Sequence, residues 1–177
     1  YLGKSNYPRQ QEMLVQLLNW QREHNIRYGA WLGGRCNHGQ MRYKLYLELA
    51  ANAPWRPWEE QQLGRKMYMP AESCLSMAGL DHLSGATEFY YRMNRISVPL
   101  LRPIQLSYGL PDRTEEILDL LQSFCQRHYR FEIPSLNLGY SISFDHTMKA
   151  GSFTLYAMAN SLLGKDTDIR ASLIRLG

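Results

Sequence analysis

An apolar residue followed by a tyrosine, set in a run of alternating side chains, closes the second arm of a candidate β-hairpin three times in this chain. The runs are Arg42-Tyr43-Lys44-Leu45-Tyr46-Leu47-Glu48-Leu49, Glu88-Phe89-Tyr90-Tyr91-Arg92-Met93 and Thr154-Leu155-Tyr156-Ala157-Met158-Ala159. Successive side chains on a strand point to opposite faces. Arg42, Lys44, Tyr46 and Glu48 therefore share one face, and Leu45, Leu47 and Leu49 the other. Glu88, Tyr90 and Arg92 oppose Phe89, Tyr91 and Met93 in the same way, and Thr154 and Tyr156 oppose Phe153, Leu155 and Ala157. Each strand has one side that helices can cover and one side of hydroxyls and charges. If the polar sides converge, they line a cavity with Tyr, Arg and Lys. If they do not, they are solvated strand faces whose tyrosines reflect β-propensity alone.

The rest of the chain alternates helix and hairpin signals. Pro8 suits a first helical turn, and Met13, Leu14, Leu17, Leu18 and Trp20 form a helical stripe to about His24. A hairpin then joins Ile26–Arg35 to Met41–Ala50 through a turn at Asn37-His38-Gly39. Pro54, Trp55, Pro57 and Trp58 read as an interruption, with a short helix from Glu59 to Lys66. A second hairpin pairs Cys74–Leu83 with Ala86–Asn94 across Ser84-Gly85. Pro99 and Pro103 predict an irregular or broken helix over Ile96–Leu110. Asp112 opens a helix with Glu115 three residues on, as in a capping box, and Ile117, Leu118, Leu121, Phe124 and Cys125 line its face. A third hairpin joins Leu138–Phe144 to Ser152–Ala159, and a short helix closes the chain from Thr167 to Leu176. Tight turns between neighbouring strands make this antiparallel α+β, not βαβ.

At 177 residues the chain is expected to form one α+β domain, 1–177, with a sizeable core. An apolar fraction of 45% with 20% charged residues is ordinary for a globule and argues against disorder. No apolar run approaches the ~18 residues that span a bilayer, so no membrane partner is expected. No basic–apolar–small leader is seen either. A net charge of +4 favours anionic ligands, but it is spread too evenly for a nucleic-acid stripe. Cys36, Cys74 and Cys125 are odd in number and lack C-x-x-C spacing, as expected of reduced thiols in a cytoplasmic protein.

A recurring hairpin that cannot bury its apolar face alone invites stacking, and antiparallel repetition invites closure into a barrel with helices outside. In this the chain resembles the aromatic prenyltransferases of the ABBA, or prenyltransferase-barrel, fold. Their repeated α-β-β-α units place antiparallel strands inside a ring of helices, and their strands carry phrases like Lys44-Leu45-Tyr46-Leu47 and Glu88-Phe89-Tyr90-Tyr91. The family barrel holds more such units than the three legible here. The resemblance implies a transferase that moves a prenyl group from an allylic diphosphate to an aromatic or peptide acceptor.

That chemistry makes three demands on the polar faces. A diphosphate needs cations and donors, which Arg42, Lys44 and Arg92 supply, with hydroxyls from Tyr46, Tyr90 and Tyr156. An allylic cation needs π faces and exclusion of water, for which the tyrosines and Trp31 are suited. The acceptor needs a base or orienting carboxylate, and Glu88 and Glu48 are the candidates for this catalytic role. No metal site is specified, and magnesium is left open as a diphosphate counter-ion. A different class of function needs only the aromatic walls: a non-catalytic module that encloses an apolar or aromatic small molecule. Its signature is that Arg42, Lys44 and Arg92 are dispersed, or paired with carboxylates such as Glu48 or Glu88.

Other chemistries lack their motifs. The histidines have no H-x-x-x-H spacing. Gly33-Gly34 and Gly64-Arg65-Lys66 lack the strand-to-helix frame of a phosphate loop. Ser76 and Ser107 lack the G-x-S-x-G elbow. Asp81-His82 and Asp145-His146 both end the first arm of a hairpin, as a repeat remnant or as hydrogen-bonded strand ends.

Overall fold

The alternation in the first two runs places Leu47, Leu49, Phe89, Tyr91 and Met93 in a core, whereas Phe153, Leu155 and Ala157 of the third run are only half-buried. In the structure, a computed structural model, residues 7–37, 40–133, 138–167, 169–170 and 174 are described. The elements run α1 (Pro8–Glu23), β1 (Ala30–Asn37), β2 (Gln40–Glu48), α2 (Trp55–Leu63), β3 (Cys74–Asp81), β4 (Thr87–Met93), β5 (Ile96–Ser97), α3 (Val98–Ser107), α4 (Thr114–Cys125), β6 (Glu132–Ile133), β7 (Leu138–Phe144), β8 (Ala150–Tyr156) and α5 (Ala159–Leu163). Six strands form one sheet in the order β1-β2-β3-β4-β7-β8, and β5 pairs with β6. The fold is α+β, built on antiparallel hairpins and helices. The sheet is open, with β1 and β8 as its edges among the described residues.

The contacts divide the chain into two compact units interleaved in sequence. The first comprises Tyr1–Lys66, Cys74–Tyr91 and Ser141–Thr154, and the second Met67–Ser73, Arg92–Tyr140 and Leu155–Gly177. In the first unit, Met13, Leu17 and Trp20 of α1 and Trp55 and Trp58 of α2 are buried with Leu47, Leu75, Phe89, Tyr91, Ile142 and Phe144 from the strands. A line of rings connects them: Trp20 to Trp58 at 5.4 Å, Trp58 to Phe89 at 5.4 Å and Phe89 to Phe144 at 5.3 Å between centroids. The second unit buries Met93, Ile96, Leu101, Ile104, Tyr108, Ile133 and Tyr140.

Three local expectations are corrected. Trp55 to Trp58 does not interrupt order but forms the first turn of α2, where Pro57 needs no intrahelical donor. Residues 98–107 form one helix despite Pro99 and Pro103: Pro99 sits in the first turn, and α3 accommodates Pro103 in its interior. Asp112 is not the N-cap of α4. That position is Arg113, and Asp112 Oδ1 instead accepts hydrogen bonds from the Thr114 N–H at 3.1 Å and the Thr114 hydroxyl at 2.7 Å. The predicted turn at His38-Gly39 lies outside the described residues. So does most of the closing helix, of which Thr167, Ile169, Arg170 and Ile174 are helical.

The two Asp-His echoes have a structural cause. Asp81 Oδ1 accepts from the N–H groups of Leu83 and Ser84, and Asp145 Oδ1 accepts from Thr147 and Lys149. Each aspartate satisfies the backbone of its own hairpin turn. Gly85, with φ of +68°, completes the first of these turns.

Candidate functional site

Five of the nine residues singled out from sequence meet on the polar face of the first unit. Lys44 on β2 forms an ion pair with Glu88 Oε2 on β4, and its ammonium also lies 3.1 Å from the Tyr90 hydroxyl. That hydroxyl donates to Glu88 Oε2 at 2.7 Å, and the Ser141 hydroxyl from β7 donates to Glu88 Oε1. Around this polar knot stands an aromatic wall. Trp31 and Tyr46 stack nearly parallel, 13° apart with centroids 5.8 Å apart, and Tyr46 leans against Tyr90 at 6.0 Å. The Lys44 ammonium lies 5.5 Å from the Tyr46 centroid and 5.4 Å from that of Tyr90, within range of both π faces.

Strand register explains the convergence. Trp31 opposes Tyr46 across β1 and β2, and Tyr46 opposes Gly79 across β2 and β3. Opposed residues share a face, so the wall and the knot lie on one side of the sheet. Their neighbours Leu47, Phe89 and Ile142 are buried on the other side. Ser141 follows the same parity between Tyr140 and Ile142, both fully buried.

Electrostatically, Glu88 is the centre. Burial pushes its carboxyl up, but the hydrogen bonds from Lys44, Ser141 and Tyr90 together with the Lys44 charge outweigh burial, holding it below the ordinary carboxylate range. At neutral pH it is a carboxylate, able to accept a hydrogen bond from an incoming N–H or O–H. Lys44 retains donor capacity beyond its two partners, because an ammonium carries three N–H bonds.

The other four residues lie elsewhere. Glu48 is not in the knot: its carboxylate accepts from the backbone N–H groups of Arg27, Tyr28 and Gly29. Burial raises its pKa, and those three donors bring it below the ordinary value. It anchors the entry into β1, as does Gln21, which donates to the Gly29 and Glu48 carbonyls. Arg42 is exposed and lines a cleft of about 440 Å³ with Met41, Leu83 and Ser84. Arg92 and Tyr156 belong to the second unit, where both are exposed. Among the described residues, no three His, Cys, Asp or Glu side chains gather to hold a metal ion, and no helix is long and apolar enough to cross a membrane.

Sequence reading missed Ser141 and the glycines beneath the rings. Strand alternation over Gly139-Tyr140-Ser141-Ile142 was the available signal for the serine.

Comparison with known proteins places the fold. No family model and no curated sequence matches the chain. Solved structures do match, among them the following two. A 6-dimethylallyl tryptophan synthase superposes with a TM-score of 0.67 at 14% identity, covering 94% of this chain and 55% of that one. The crystal structure of 6-dimethylallyltryptophan synthase from Micromonospora olivasterospora in complex with DMASPP and Trp superposes with a TM-score of 0.65 at 13% identity, covering 94% and 56%. The likeness read from the strands is thus a likeness of fold to an aromatic prenyltransferase. This chain spans little more than half the length of the structures it matches.

Proposed function

We propose that the polar face of the first unit serves prenyl transfer from an allylic diphosphate to an aromatic acceptor. The observation that carries this reading is the joining of the Trp31–Tyr46–Tyr90 wall to the Lys44–Glu88–Tyr90–Ser141 knot, on a fold shared with a dimethylallyltryptophan synthase. The rings would flank an allylic cation and shield it from water. Lys44 and Arg42 would neutralise diphosphate, with Tyr46 adding a hydroxyl donor. Glu88, ionised at neutral pH, would orient the acceptor by taking a hydrogen bond from its N–H or O–H.

The test is incubation with dimethylallyl diphosphate and tryptophan, other indoles, phenols or aromatic peptides, with and without magnesium, followed by mass spectrometry of the products. Prenylated product that disappears in Glu88→Gln supports the reading. Absence of both product and calorimetrically detectable pyrophosphate binding overturns it.

A second reading is a non-catalytic module for an aromatic small molecule, and its signature is met: Arg42 lines a separate cleft, Arg92 belongs to the second unit, and Lys44 is paired with Glu88. Lys44 meets a carboxylate, so its charge is already balanced before any anion arrives. On this reading the protein binds an indole but not pyrophosphate, and the same calorimetry separates the two.

A further inference from the structure

Lys44 stands on β2 and its partners Glu88 and Tyr90 stand on β4, with β3 between them. Neighbouring strands lie about 4.8 Å apart, so the lysine side chain must cross the full width of β3. The residue beneath its path is Gly79. In register it opposes Tyr46, one step along the same face from Asp81, which opposes Lys44. A Cβ at Gly79 would stand 2.5 Å from Lys44 Cε, 3.2 Å from its Nζ and 3.3 Å from Tyr90 Cε2. The backbone itself does not demand glycine there, because Gly79 is not among the glycines with positive φ. Glycine inside a strand forfeits packing and often marks close approach by another group. Here that group is a side chain of the candidate site.

We propose that Gly79 is a positioning residue: its missing side chain is the notch through which Lys44 crosses β3 to reach Glu88 and Tyr90. Gly33 plays the parallel part for the aromatic wall. A Cβ there would stand 2.8 Å from Tyr46 Cε2, so the ring that stacks on Trp31 overlies a second notch, in β1. The two glycines flank β2 on the same face, Gly33 opposing Lys44 and Gly79 opposing Tyr46. Both long side chains of β2 thus lie down across a neighbouring strand. A sheet with alanine at these positions would hold them upright and apart from their partners.

The inference concerns the site to which prenyl transfer is assigned above, but its readouts record geometry, not turnover, so the two fail separately. The experiment is a double-mutant cycle of Gly79→Ala and Lys44→Ala, read by carbon-13 titration of the Glu88 carboxyl and by thermal midpoint. Gly79→Ala is expected to fold, since the closest atoms it crowds are the flexible end of a lysine that can swing clear, while Tyr90 Cε2 at 3.3 Å need give only slightly. Its Glu88 titration moves upward to match that of Lys44→Ala, and the double variant titrates like Lys44→Ala alone. The thermal midpoint falls on adding Gly79→Ala to the wild type. It is unchanged or higher on adding it to Lys44→Ala, where the clash is gone and alanine stiffens the unfolded chain. An unmoved Glu88 titration in Gly79→Ala, or equal thermal losses in both backgrounds, overturns the proposal. Should Gly79→Ala alone fail to fold, the pair Lys44→Ala and Gly79→Ala/Lys44→Ala decides. Equal midpoints support the notch, and a drop in the double variant overturns it.

Discussion

Glu88 carries the chemistry of the knot because three donors, one of them the Lys44 cation, converge on a carboxyl whose pKa burial alone would raise. Its pKa in the folded protein is depressed below the 4.5 of the free side chain. A carboxylate so held contributes stability that is complete above the unfolded value and is lost as pH falls through the folded one. Glu88→Gln is therefore expected to cost about 1.5–3 kcal/mol at neutral pH, the scale of a hydrogen bond to a charged group. The deficit should vanish at pH values below the depressed pKa. Urea unfolding of both proteins across that range measures it, and a deficit independent of pH would contradict the assignment. The same depression makes Glu88 a weak proton acceptor at neutral pH, so it suits orientation better than full abstraction. Removing the cation reverses the balance. In Lys44→Ala the burial of Glu88 is opposed by the Ser141 and Tyr90 hydroxyls without the cation, and its titration should rise. If Lys44 also holds diphosphate, the same variant should weaken pyrophosphate binding more than tryptophan binding in paired calorimetric titrations.

Elements are fixed by side chains that do not face the site. Trp58 is buried between Trp20 of α1 and Phe89 of β4, so it couples two helices to the strand that carries Glu88 and Tyr90. Truncation to alanine is expected to cost about 3–5 kcal/mol, the range for a buried large aromatic, read from the denaturant midpoint at unchanged slope. Behind the same strand, the buried Tyr91 hydroxyl donates to the buried Glu59 of α2. Tyr91→Phe deprives that carboxylate of a donor and should cost about 1–3 kcal/mol, whereas an exposed tyrosine such as Tyr43 should tolerate the change. The hairpin ends obey a local rule instead. Asp145 accepts from three groups of its own turn, so Asp145→Ala should loosen the β7–β8 turn, seen as faster amide exchange at Thr147 and Lys149, without disturbing the Lys44–Glu88 pair.

At the scale of the molecule, the four tryptophans form a natural probe. Trp20, Trp55 and Trp58 are 5–7% exposed, while Trp31 on the edge strand is 41% exposed. Acrylamide should quench one emitting class readily and leave the other largely shielded, and Trp31→Phe should abolish the quenchable class. Because Trp31 stacks on Tyr46, an aromatic ligand at the wall should protect the quenchable class in proportion to its binding. An unchanged calorimetric affinity for the aromatic ligand in Trp31→Ala would place the ligand elsewhere. The open sheet gives this probe its meaning. With β1 at an edge, the Trp31 face is reached from solvent without unfolding.

Strand parity was readable from sequence because it depends only on the period of two: the three runs alternate, and their apolar residues are the buried ones wherever the sheet is covered. The Ser84-Gly85 turn was readable because glycine acts locally, and the long α1 and α4 because their apolar stripes are periodic. The misread segments were those where packing outweighs local preference. Trp55 and Trp58 hold α2 in place despite flanking prolines, and α3 runs through Pro103 while it buries Leu101 and Ile104. The site was legible as a list of polar-face residues but not as a constellation. Which carboxylate meets Lys44 depends on which strands neighbour one another, and sequence spacing does not encode that. Only the tertiary structure separated Glu88, which lies two strands away and is paired, from Glu48, two residues away on the same strand and turned to the backbone of residues 27–29. It alone showed why the lysine reaches so far: a glycine on the strand between leaves the space empty.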